Sequence, residues 1–160
     1  MSEVRKVVDV EKELHNIESQ LKIKKHRDYI YFLDSTIMRI WFMSDEKKDK
    51  FQKTLSNNII LNQNGIFLGE QFAKKHNIPW GDRKYGDLVW IVNNGTLIFP
   101  DFFHREYAYK GMHGYDPNLQ GNQGVCIAAG KNIEKKEMAS IQLTGVYDVL
   151  KNSLGLNLKR

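Results

Sequence analysis

The stretch GDLVWIVNNGTLIFP, residues 86–100, constrains the fold more than any other part of the chain. Two apolar runs flank Asn94-Gly95, a dipeptide suited to the two positive φ angles of a type I′ turn, so the pattern predicts a β-hairpin closed by Pro100. A hairpin alone cannot bury its apolar faces in water, so other elements must cover them. The segment DVEKELHNIESQLK supplies one: Val10, Leu14, Ile17 and Leu21 recur at helical spacing, with Asp9 placed as the N-cap. DYIYFLDSTIMRIWFM (28–43) reads as two strands separated by Asp34-Ser35, in hairpin fashion. Ser44 is expected to cap a second helix bearing Phe51 and Leu55 on one side. GVCIAAG (124–130) reads as a buried strand, and 137–154 as a final helix with Met138, Ile141, Val146, Val149 and Leu150, stopped by Gly155 at C′. Helices and strands interleave but a hairpin interrupts them, so the expected class is α/β or α+β. The sheet is expected to be mixed, with flanking helices, in a single domain over 1–160.

Composition narrows the function classes. With 160 residues, 41% apolar and 27% charged, the chain has the balance of a globular domain. Its strongest apolar run, LVWIV, is far short of the roughly 20 residues of a membrane-spanning helix. The opening MSEVRKVVDVEKEL mixes charges too early for an export signal, which makes a cytoplasmic location the default expectation. The single cysteine, Cys126, has no internal disulfide partner and sits in an apolar run without a basic neighbour, the setting of a buried, inert thiol. The net charge of +5 is spread over both ends. Its one tight cluster, Lys22, Lys24, Lys25 and Arg27 ahead of Tyr29 and Tyr31, has the residue types that hold a phosphate backbone and stack bases. A nucleic-acid footprint should cover a whole face, however, so a solvated loop between helix and strand is the favoured reading and nucleic acid an unlikely partner.

Residues 101–124, DFFHREYAYKGMHGYDPNLQGNQG, show little periodicity and are rich in aromatics and glycine, as functional loops are. Gly111 and Gly114 free the backbone around His113, whose imidazole is of the kind that ligates zinc and similar ions. One histidine makes no metal site, because three or four ligands are needed. Asp101, His104 and Asp116 lie near it in sequence, at spacings that match no compact metal motif.

KYGDLVWIVNNGTLIFPDFF followed by KGMHGYDP, GVCIAAG and VLKNSLGL resembles the C-terminal segment of the type I phosphodiesterases and nucleotide pyrophosphatases of the alkaline phosphatase superfamily. Arg83, Gly86 and Asp87 match the family's R-x-x-G-D element. Gly111, His113, Gly114, Tyr115 and Asp116 match its G-x-H-G-Y-D loop. The resemblance covers roughly residues 80–156 and implies the C-terminal part of an alkaline-phosphatase-like domain. It also implies a site of two metal ions, usually zinc, acting on a phosphoester with a Thr or Ser nucleophile. His113 then carries over as one metal ligand. Gly111, Gly114, Tyr115 and Asp116 carry over as residues that shape the loop.

The family's nucleophile, its Asp-x-x-x-His pair and its S-D-H-G motif have no counterpart in residues 1–110. The resemblance therefore implies the portion of a larger catalytic domain downstream of those motifs, not catalytic alone. Its expected partner is the N-terminal catalytic portion or a second copy of itself, since a sheet cut between strands exposes an edge. Two other readings compete: a non-catalytic α/β binding or oligomerisation module, and a basic nucleic-acid-associated protein.

Overall fold

A computed structural model describes residues 1–119, 123–131, 133, 135, 137 and 140–156. The contacts divide the chain into two compact units, Met1–Gln123 and Gly124–Arg160. The class is α+β with flanking helices, as expected, but in place of one mixed sheet there are several, the four-stranded one antiparallel and the parallel pairing confined to a two-stranded sheet. Among the described residues no helix is long and apolar enough to cross a membrane.

The first unit holds a four-stranded antiparallel sheet built from β3 (Tyr29–Leu33), β4 (Ile37–Phe42), β5 (Gly65–Leu68) and β6 (Leu88–Val92), in the order β3-β4-β6-β5. The expected pairing of 28–43 is present: Tyr29 faces Phe42 and Leu33 faces Met38. LVWIV is apolar throughout because both faces of β6 are covered. Leu88, Trp90 and Val92 enter the main core with Met38, Ile40 and Phe42. Val89 and Ile91 enter a smaller cluster with Leu68, against which Ile37 and Phe72 pack. The main core is closed by α1 (Val10–Leu21), α2 (Lys48–Ser56) and α3 (Ile59–Asn64), which contribute Val10, Leu14, Ile17, Phe51, Leu55 and Leu61. Asp9 caps α1 as expected, accepting from Lys12 N at 2.9 Å. α2 begins at Lys48 rather than after Ser44, because residues 45–47 first form a turn in which Lys48 N donates to Asp45 O. α4 (Glu70–Lys75) carries Phe72.

The predicted hairpin over 86–100 does not form. β7 (Thr96–Ile98) pairs in parallel with β2 (Lys6–Val8), not with β6. The physical reason is that β6 already has a neighbour on each edge, β4 and β5, and so has no ladder left to offer. The turn between them, closed by Thr96 N to Asn93 O at 3.0 Å, needs positive φ only at Gly95, where a type I′ turn needs it at Asn94 also.

The R-x-x-G-D element is a clamp. The Arg83 guanidinium pairs with Asp87 at 2.8 Å and donates to Phe42 O at 2.7 Å, and the Asp87 carboxylate accepts from Phe42 N at 2.7 Å. It ties the end of β4 to the start of β6.

In the second unit a 3₁₀ turn, Leu143–Gly145, precedes α5 (Val146–Ser153). The final helix is thus shorter than the predicted 137–154, and Met138 lies outside the described residues. Its end is as expected: Gly155 has φ +65°, Gly155 N donates to Asn152 O, and Leu156 N donates to Lys151 O, the paired bonds of a Schellman motif. GVCIAAG is not a strand. Val125 and Ile127 are 89% and 87% exposed, and Cys126 is exposed as well, which overturns the buried-thiol expectation. A short apolar run becomes a strand only when a partner ladder accepts its backbone, and among the described residues none pairs with it.

Candidate functional site

Everything that positions His113 lies in the first unit. After β7 the chain runs through an irregular stretch into the two-residue strand β8 (Gly111–Met112), which pairs antiparallel with β1 (Ser2–Glu3). At Gly111 a Cβ would sit 3.2 Å from Met1 Sδ, the far end of an exposed, flexible side chain that can give way, so glycine is not demanded there. Gly114 is required by conformation. Its φ is +89°, and its carbonyl accepts from Thr36 Oγ1 at 2.9 Å, which ties the His113 turn to the β3–β4 connection.

Tyr115 is buried in the main core, and that burial pushes its phenol up. Asp116 Oδ1 accepts from Asn118 N at 2.9 Å and from Asn118 Nδ2 at 2.8 Å, forming a side-chain-closed turn. The Asn118 backbone bond is the main reason its carboxyl is held below the usual range. Tyr115 thus anchors the loop from below and Asp116 closes it. His113 is left exposed between these fixed points.

His113 lines a shallow cleft of about 450 Å³ together with Asp34, Ser35, His104 and Tyr109. A hydrogen-bonded polar group beside that cleft is one the sequence did not bring together: Ser35, Asp101 and His104. Asp101 is 1% exposed. It accepts from Ser35 Oγ at 2.8 Å, Phe103 N at 2.8 Å and His104 N at 2.7 Å. His104 Nδ1 lies 3.1 Å from both carboxylate oxygens. Burial works to raise the Asp101 carboxyl. The bonds from His104, Ser35 and the two backbone N–H groups outweigh it, and the carboxyl is held below its usual range.

Ser, His and Asp here do not form a nucleophilic triad. In such a triad the histidine stands between the other two and uses both ring nitrogens, whereas here Ser35 donates to Asp101 itself and only Nδ1 is engaged. Asp101 and His104 are visible in sequence as a D-x-x-H pair, but nothing in the sequence signals that Ser35 joins them.

Neutral imidazole is a fit ligand for a zinc-type ion, and His113 is reachable from solvent with no hydrogen bond or ion pair to another described residue. One nitrogen fills one coordination position. Among the described residues no group of three or more His, Cys, Asp and Glu side chains could hold a metal ion.

The basic segment is a loop between α1 and β3. Lys22 is the left-handed C-cap of α1, Lys24 N donates to the Asp28 carboxylate, and Arg27 pairs with Asp28 at 2.6 Å. Lys25 Nζ lies 3.9 Å from the centre of the Tyr31 ring. Tyr29 is fully buried, so it offers no face for a base. Glu11, Glu18 and Asp28 bond to the same residues and oppose a phosphate backbone.

No family model, curated protein or solved structure matches the chain.

Proposed function

We propose that this chain is the C-terminal portion of a metal-dependent phosphoester hydrolase of the phosphodiesterase/nucleotide pyrophosphatase type, to which it contributes His113 as one metal ligand. The nucleophile and the family's other ligands come from a separate N-terminal portion.

The observation that carries the reading is the placement of His113. Gly111 and Gly114 bring the chain through a turn that Thr36, Tyr115 and Asp116 hold in place, and the imidazole is left exposed on the wall of a cleft rather than packed among aliphatic side chains. A bound zinc-type ion would polarise phosphoryl oxygens and lower the pKa of an attacking hydroxyl. The contribution of this chain is to hold one neutral nitrogen at a fixed position for that ion. The edge strand β5, on which Ile66 is exposed, offers backbone to a partner polypeptide, whereas the outer edge of β3 is partly taken by Phe102 N on Leu33 O and His26 N on Tyr29 O.

The test is reconstitution. A polypeptide carrying the missing nucleophile and ligands, sought in the neighbouring reading frame, is mixed with this chain and assayed on bis(p-nitrophenyl) phosphate. Cleavage that needs both chains and disappears with His113→Ala supports the reading. Cleavage that is equally fast without the imidazole refutes the ligand assignment.

A further inference from the structure

We propose that His104 is a second metal-ligating side chain of the cleft, presenting Nε2 to a divalent transition-metal ion while buried Asp101 holds Nδ1; this rests on the metal-binding reading above and adds a residue to it.

The inference follows from proton bookkeeping around one carboxylate. Asp101 already accepts from a hydroxyl and two backbone N–H groups, and an ionised carboxylate has only acceptors. The ring nitrogen lying 3.1 Å from both of its oxygens must therefore be the donor, which places a proton on Nδ1. A neutral imidazole carries one ring proton, so Nε2 keeps its lone pair. Among the described residues only Nδ1 of this ring has a hydrogen-bonding partner. Tyr109 packs edge-on against the ring with centroids 4.5 Å apart and fixes its plane. The side chain is 26% exposed.

A carboxylate on the remote nitrogen is the arrangement that sets tautomer, orientation and basicity in metal-ligating histidines. His104 Nδ1 fills an acceptor position of the buried carboxylate that Ser35 and the two backbone groups leave open. The second observation is the location. His104 and His113 line the same cleft, on segments that the Ser35 and Thr36 hydroxyls tie to one β3–β4 connection. Two imidazoles leave further coordination positions to water or to a partner's side chains.

The test is a Zn²⁺ titration of the metal-free full chain, following the imidazole Cε1–H signals of its five histidines by NMR. The His104 signal is expected to move saturably, and Asp101→Asn is expected to weaken that binding about 10–100-fold. Dispersed methyl signals verify that the variant is folded; should it unfold, His104→Gln is read instead, and the expected result is loss of the ring's contribution to Zn²⁺ affinity. His15, exposed on α1 away from the cleft, is the control and should not move. A His104 signal that stays still while His113 responds overturns this inference and leaves the proposed function standing. Neither signal moving overturns the inference and leaves the His113 assignment to the reconstitution test. His104 moving without His113 supports the inference and likewise leaves His113 to that test. An equal response of all five rings, or an unchanged affinity in Asp101→Asn, also overturns it.

Discussion

Replacing Asp101 by Asn tests whether the carboxylate network organises the wall of the cleft. The substitution keeps shape and volume and removes the charge. One amide oxygen can still accept from Phe103 N and His104 N, but the amide NH₂ replaces an acceptor opposite Ser35 Oγ and His104 Nδ1. Hydrogen bonds to a charged group contribute about 1.5–3 kcal/mol each and neutral ones about 1. Losing charge assistance on two bonds and setting one donor against another gives an expected loss of roughly 2–4 kcal/mol. Asp101→Ala leaves every donor without a partner and should cost about 3–5 kcal/mol. Urea unfolding at neutral pH measures both.

The pH dependence gives an independent check. Because the folded carboxyl titrates below its ordinary value of 3.8, its contribution is present above that pH and is lost as the pH falls through the folded value. The gap between the parent chain and Asp101→Asn should therefore narrow below about pH 4. A cost under about 0.5 kcal/mol at neutral pH, or a gap unchanged in acid, would refute the reasoning.

Two further outcomes follow from packing and exposure. At Gly65 a Cβ would lie 2.3 Å from Ile91 O and 2.6 Å from the Trp90 ring, so Gly65→Ala should destabilise by roughly 1–3 kcal/mol in urea unfolding; a neutral result would mean that β5 sits farther from β6 than described. Cys126 is exposed, so it should react with a thiol reagent in the folded chain as fast as in urea, and strong protection would restore the buried-strand reading.

Local signals carried part of this fold. α1 could be read because its four apolar positions share one helical face and Asp9 stands at the cap, all within a few residues. The β3–β4 pairing was readable for the same reason, with Asp34-Ser35 between two aromatic-rich runs. α3, β5 and α4 carry too few turns or alternations to rise above the background of short apolar runs. The error at 86–100 is instructive: Asn94-Gly95 does make a turn, but strand pairing depends on which edges are free, and β4 and β5 decide that from elsewhere in the chain. The misreading of 124–130 has the same origin, an apolar run without a ladder to join. In the site, the glycine-bracketed turn of His113 was legible. The network beneath it was not, since Ser35 reaches Asp101 across 66 residues of sequence.

The most direct measurement of the central claim is zinc-edge anomalous diffraction from crystals of this chain assembled with the polypeptide that restores activity. The account predicts a peak about 2.0–2.1 Å from a ring nitrogen of His113. A zinc position ligated entirely by the partner, with the His113 ring turned away from it, would contradict the account.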